Sequence, residues 1–186
     1  MSQKFYIIAG PNGSGKTTLA KELVREDKIT FLNADELAKS HKDTLGIKAG
    51  RLLLDKLTAL LNDRVPIVWE STISGNLHRR VIERARKAKY EIIFIYVFLE
   101  SVEQNLERIK QRVALGGHNV PDCDVRRRYG RSLNNFWSVI PMVSYWELYY
   151  NGGTSYKIVA RGKGEFVEIA DEAVYNKFKR YKNDKI

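Results

Sequence analysis

Short apolar runs along the chain alternate with longer stretches in which apolar residues recur every three or four positions. The runs Lys4–Ala9, Thr30–Asn33, Pro66–Glu70, Glu91–Leu99 and Tyr156–Ala160 read as strands. Lys16–Arg25, after a glycine turn, has helical spacing, and so does Gly46–Asp63, with Leu52, Leu53, Leu57, Leu60 and Leu61 on one side. Leu77–Lys89 is basic and amphipathic. Ser101–Leu115 opens on Ser101, an N-cap with Gln104 three residues on. Asp122–Ile140 is bounded by Pro121 and Pro141, and a last helix, Asp171–Tyr181, is expected at the periphery. Val167–Ala170 suits a short extra strand after a turn at Arg161-Gly162-Lys163-Gly164. The aromatic stretch Tyr145–Tyr150 is expected to pack against the sheet. Strands separated by helices form βαβ units. The predicted fold is therefore α/β, a central, mostly parallel five-stranded sheet flanked by helices. No repeat or low-complexity linker interrupts it, and 186 residues suit a single domain, 1–186.

Composition narrows the setting. Cys123 is the only cysteine, which excludes an intrachain disulfide and suits a reducing, cytoplasmic compartment. No apolar run approaches membrane-spanning length. A net charge of +10 implies acidic partners: nucleic acid, nucleotides or phosphorylated metabolites. It suits a basic, solvated surface equally well.

Gly10-Pro11-Asn12-Gly13-Ser14-Gly15-Lys16-Thr17 matches G-x-x-x-x-G-K-[ST] in full, with Thr18 following. A strand precedes it and a helix follows, as the motif requires. The glycines let successive backbone N–H groups turn toward phosphates, and the helix N-terminus adds its dipole. Lys16 supplies positive charge to the β- and γ-phosphates, and the Thr17 hydroxyl is a Mg²⁺ ligand of the right type. A nucleoside triphosphate is thus the expected ligand. No Asn-Lys-x-Asp guanine motif occurs, and no long apolar strand ends in Asp. Ile67-Val68-Trp69-Glu70 ends instead in Glu70, suited to a magnesium-bound water. The kinase fold fits this small chain better than a GTPase switch or a motor ATPase.

A kinase must also orient an acceptor hydroxyl and neutralise the moving phosphoryl group. Asp35 follows the second strand, on the edge where open α/β sheets bind ligands. Asn33 or Asp35 serves equally well as the cap of a helix beginning at Glu36. Glu70, Ser71 and Thr72 follow the third strand on that edge, where a capping turn is the plainer role. Arg108 and Arg112 share a helix face. The turn Gly116-Gly117-His118-Asn119-Val120-Pro121 leads from them into Arg126-Arg127-Arg128-Tyr129-Gly130-Arg131. Two basic helices joined by a glycine turn suit a lid over residues 101–135, closing an arginine onto phosphate. A solvated basic hairpin or a nucleic-acid patch has the same composition. His118 reads as a residue of the lid turn, since no His/Cys cluster has metal-ligand spacing.

Together these residues resemble the zeta-toxin family of P-loop kinases, its compact chromosomal branch in particular. The matching pieces are the phosphate loop through Thr18, Asn33-Ala34-Asp35-Glu36 and Glu70-Ser71-Thr72-Ile73-Ser74-Gly75. Arg112-Val113, Gly116 to Pro121, Arg127-Arg128-Tyr129 and Arg131-Ser132-Leu133 follow in order. The resemblance implies ATP as donor and the 3′-hydroxyl of UDP-N-acetylglucosamine as acceptor, with a cognate antitoxin as partner. By the same resemblance Asp35 looks like the base, and Glu70 and Thr72 like substrate or magnesium-shell contacts. Lys16, Arg112 and Arg128 look like the γ-phosphate clamp, with Arg108 and Arg131 as alternatives. Relatives often carry an Asp-Asn-Ser-like turn where this chain has Tyr150-Asn151-Gly152. The expected function is an ATP- and Mg²⁺-dependent kinase of a small hydroxyl-bearing acceptor. The alternatives are a nucleic-acid-associated P-loop ATPase and a kinase for another metabolite.

Overall fold

The computed structural model describes residues 3–26, 29–33 and 47–182. Strand β1 (Lys4–Ala9) leads through the glycine loop into α1 (Lys16–Glu26) and then β2 (Thr30–Asn33). After α2 (Ile47–Asn62) come β3 (Ile67–Ser71), α3 (Leu77–Lys87) and β4 (Glu91–Phe98). Helices α4 (Val102–Ala114) and α5 (Asp122–Val139) precede β5 (Tyr145–Tyr150). The hairpin β6 (Lys157–Lys163) and β7 (Phe166–Ile169) is followed by α6 (Glu172–Lys179).

Among the described residues the sheet has seven strands in the order β2-β3-β1-β4-β5-β6-β7, not five. β1 to β5 run parallel, and β6 and β7 return antiparallel. Tyr145–Tyr150 is itself a strand, paired with β4 from Ile93↔Tyr145 to Phe98↔Tyr150. The hairpin turn lies at Gly164, with φ 59°, and β6 runs through Arg161 and Gly162 instead of turning there. The predicted Asp171–Tyr181 helix is not peripheral. Phe178 is fully buried, its ring 4.6 Å from that of Phe98 and 5.1 Å from that of Phe136. Gly46, Ala34, Asp35 and Glu36 lie outside the described residues.

Alternation of side chains sorts the sheet into two faces. Phe5, Ile7, Trp69, Phe94 and Tyr96 face the main core against α2, α3, α5 and α6. Ile8, Val68 and Ile95 face α1 through Ala20. A separate small cluster, Leu106, Ile109, Val120 and Val125, holds α4 to the start of α5. Further along α5, Tyr129, Leu133 and Phe136 belong to the main core. The basic hairpin is therefore packed on itself through this cluster, bonded to the glycine loop through Asn105, and anchored in the main core beyond Val125. Ser101 caps α4, its hydroxyl accepting the Gln104 N–H at 3.3 Å. The Gln104 side chain reaches back to the Glu100 N–H at 3.1 Å. Among the described residues no helix is long and apolar enough to cross a membrane.

Parallel register brings the strand ends together. Glu70 of β3 stands opposite Asn33 of β2 and Ile8 of β1. Residues far apart in sequence thus meet at the mouth of the glycine loop.

Candidate active site

The C-terminal edge of the sheet opens into a cleft of about 430 Å³ beside the glycine loop. Gly13, Gly15, Lys16, Thr17 and Thr18 form its floor. Gly10, Pro11 and Ser14 are buried in the body of the loop, and Asn12 reaches the cleft wall. Lys16 is 6% exposed, and its ammonium donates to the Pro11 carbonyl at 2.7 Å. This bond curls the side chain back over the loop it follows.

Glu70 is the buried carboxylate of the site among the described residues, 7% exposed. Thr17 donates its hydroxyl to Glu70 Oε1 at 2.9 Å, and Asn33 donates its amide to Oε2 at 3.0 Å. A buried carboxylate needs such donors, because removing its hydration is otherwise costly. The two bonds join the first turn of α1, the end of β2 and the end of β3. The hydroxyl and carboxylate form an oxygen-rich corner next to the loop, with donors of the hard type that magnesium takes.

Thr72 lines the cleft from the β3–α3 loop. Its carbonyl accepts the Ser132 hydroxyl at 2.6 Å, and the next carbonyl, Ile73, accepts the Asn135 amide at 2.6 Å. Ile73 adopts φ 46°, a left-handed conformation that a β-branched residue rarely takes. Since Ser132 spends its one hydrogen on Thr72, the Tyr96 phenol 2.8 Å away donates to Ser132 Oγ. Burial pushes the Tyr96 phenol well above its ordinary range, so it stays a donor.

The opposite wall is cationic. Arg108, Arg112 and Arg128 all line the cleft, with Lys21 and His118, while Arg131 is exposed and does not. Arg112 donates to the His118 carbonyl at 2.6 Å across the glycine turn. Arg128 lies 3.5 Å from Asp124, which pairs more closely with Arg127 at 2.6 Å. Arg108 donates to the Asn151 carbonyl at 2.5 Å. The structure thus gathers Lys16, Thr17, Glu70, Thr72, Arg112 and Arg128 into one cleft. It includes Arg108 and leaves out Arg131. Asp35 lies outside the described residues.

Four participants carried no assignment from sequence. Lys21 falls one helical turn after Thr17, a spacing that marks it in retrospect. Asn105, Asn151 and Tyr156 bond the glycine loop from positions 93, 137 and 141 residues away. No local pattern announces such contacts.

Comparison with known proteins agrees with this architecture. A Haemophilus influenzae protein whose own function is uncharacterised is 31% identical over 137 residues, covering 69% of this chain and 94% of the relative. A chain of the AvrRxo1-ORF1–ORF2 complex solved with ATP superposes with a TM-score of 0.73 at 17% identity. The match covers 96% of this chain but only 63% of the AvrRxo1 chain. The PezAT chromosomal toxin–antitoxin system of Streptococcus pneumoniae gives a TM-score of 0.65 at 12% identity, over 97% of this chain and 78% of that one. At these identities the structural matches establish the P-loop kinase-like fold. The sequence model of the AAA_33 family, described as an AAA domain, matches residues 6–128, and the chain belongs to that family.

Proposed function

We propose that the protein is a phosphotransferase that binds ATP with Mg²⁺ and moves the γ-phosphate to a hydroxyl of a small acceptor, a nucleotide-sugar such as UDP-N-acetylglucosamine. One observation carries the reading. A complete phosphate loop meets the buried Glu70 carboxylate, held by Thr17 and Asn33, on one side and three arginines on the other. Phosphoryl transfer asks for this division: positioning of the polyphosphate, a cation at its oxygens, and positive charge on the moving group. Likeness in fold to AvrRxo1-ORF1–ORF2, solved with ATP, and to the PezAT toxin–antitoxin system supports it, and makes a cognate antitoxin part of the proposal.

In this reading the loop amides and Lys16 grip the β- and γ-phosphates. Thr17 would ligate magnesium, and Glu70 would hold its shell while fixing the Thr17 hydroxyl. The metal supplies charge neutralisation at the phosphate oxygens. Arg112 and Arg128 would swing from their present carbonyl and carboxylate partners onto the transferring group, with Arg108 beside them on the Asn151 carbonyl. Thr72 would contact the acceptor, and Asp35 would take the proton of its hydroxyl. Residues 101–135 would act as the lid within a single domain, 1–186, closing by its arginine side chains while Asn105, Tyr129 and Leu133 keep their buried places.

Incubation with labelled ATP and a metabolite panel that includes UDP-N-acetylglucosamine tests this. A labelled acceptor is expected, together with its loss in Asp35→Asn while ATP binding persists. Labelled acceptor formed by Asp35→Asn at the unmodified rate would remove Asp35 as the base. ATP turnover stimulated by nucleic acid, with no labelled metabolite, would replace the kinase with an ATPase.

A further inference from the structure

The phosphate loop is held from behind through its carbonyls. Asn105 of α4 donates to the Asn12 carbonyl at 2.6 Å. Asn151, in the β5–β6 connection, donates to the Ser14 carbonyl at 2.9 Å, and the Tyr156 phenol to the Gly15 carbonyl at 2.9 Å. Asn105 is fully buried and Asn151 is 8% exposed, so both amides were withdrawn from water to make these bonds. The anchors are themselves tied down. The Asn151 N–H donates to the Phe98 carbonyl at 3.0 Å, and its own carbonyl accepts Arg108 at 2.5 Å.

A trans peptide unit is planar, with its carbonyl and its N–H on opposite sides. A donor that pins the carbonyl outward therefore aims the next residue's N–H the other way. Pinning Asn12 and Ser14 sets the N–H groups of Gly13 and Gly15. The Gly15 carbonyl also accepts the Thr18 N–H at 3.2 Å and the Leu19 N–H at 3.4 Å. It is held by Tyr156 together with the first turn of α1, and so sets the N–H of Lys16. Gly13, Gly15 and Lys16 all line the cleft. The glycines fit this clamp closely. A Cβ on Gly13, at φ 80°, would come 2.6 Å from the Asn105 carbonyl oxygen. One on Gly15, at φ 100°, would strike the Asn151 amide and come 3.0 Å from the Tyr156 oxygen.

We infer that Asn105, Asn151 and Tyr156 are positioning residues for the polyphosphate chain: three side chains from two distant elements preset the polarity of the loop before any ligand arrives. The inference rests on the loop being a triphosphate site. It assigns the ligand part concerned, phosphate and not base or sugar. Preset amides spare the ligand the reorganisation that a loose loop would require.

Calorimetric titration of the full chain with ATP and with inorganic tripolyphosphate tests it, using the unmodified protein, Tyr156→Phe and Asn105→Asp. Tyr156→Phe removes one oxygen and keeps the ring. It is expected to weaken both ligands by a common factor of about three to ten, the equivalent of one net hydrogen bond. Asn105→Asp places an acceptor against the Asn12 carbonyl and is expected to weaken both further. The thermal midpoint of Tyr156→Phe should stay close to that of the unmodified chain, which separates loop polarity from folding. Equal affinity in Tyr156→Phe would overturn the inference. So would weakened ATP with unweakened tripolyphosphate, since the phenol would then serve base or ribose. Should Asn105→Asp not fold, Tyr156→Phe alone decides. An unmodified protein that binds neither ligand would fail at the triphosphate reading itself, and the inference would fall with it.

Discussion

His78, in the first turn of α3, is 1% exposed and gives its Nδ1 proton to the Gly75 carbonyl at 2.6 Å. Its Nε2 is buried with no hydrogen-bond partner among the described residues. A second proton there would create a buried charge close to the Arg79 guanidinium. Burial chiefly, and Arg79 next, lower its pKa, while the Gly75 carbonyl acts the other way. In the unfolded chain a histidine takes up a proton near pH 6.5, about two units above the carboxylates. Between pH 7.5 and 5.5 the unfolded state therefore binds the proton that the folded state refuses, and stability falls as pH falls. Urea midpoints should drop across that range. His78→Asn, which keeps a donor for Gly75, should flatten the drop, whereas an equal drop in the variant would assign it to another group.

At the scale of elements, α5 supports the β3–α3 loop through Ser132 and Asn135. Asn135→Ala would leave the Ile73 carbonyl without its partner, at a cost of about 1–3 kcal/mol. It also frees a backbone held at φ 46°, leaving the Ser132 hydroxyl to hold Thr72 at the cleft without its neighbouring bond. In steady-state assays with the acceptor that the metabolite panel identifies, the acceptor KM should rise several-fold with the ATP KM unchanged. A matched rise in both would place the effect in the phosphate loop instead. Strand β5 shows why one element escaped the hydrophobic pattern. Trp146 and Leu148 face the core, while Tyr145, Glu147 and Tyr149 share the other face. Both phenols donate to the Glu147 carboxylate, each at 3.0 Å. Burial and that carboxylate push the Tyr149 phenol up to about 12. Aromatic rings with polar tips fill the positions where alternation calls for polar residues, so the period of two disappears into an aromatic run. β1 to β4 were legible because their ends are marked by glycine, proline or charge.

Across the whole molecule, what the sequence disclosed of the site follows its local chemistry. The phosphate loop, Glu70 and the paired arginines sit in compact motifs whose residue types are dictated by phosphate. Asn105, Asn151 and Tyr156 act through carbonyls more than ninety residues away, and only the folded register brings them there. The C-terminal part shows the same dependence in its stability. The family match ends at residue 128, yet β5, β6, β7 and α6 lie beyond it and complete the sheet and main core. Phe178 of α6 is fully buried, and its ring also lies 5.8 Å from that of Tyr96 on β4. Truncating such a ring removes both its transfer free energy and its packing, leaving a cavity that neighbours fill only in part. Phe178→Ala should therefore cost about 3–5 kcal/mol of unfolding free energy, read as a lowered urea midpoint at unchanged m-value. Because the ring packs on the side chain of Phe98 and the Asn151 clamp uses the Phe98 backbone, tripolyphosphate affinity of the folded variant should hold. A loss below about 1 kcal/mol would mean that α6 unfolds apart from the rest, and that residues past the family match form no common core with β4.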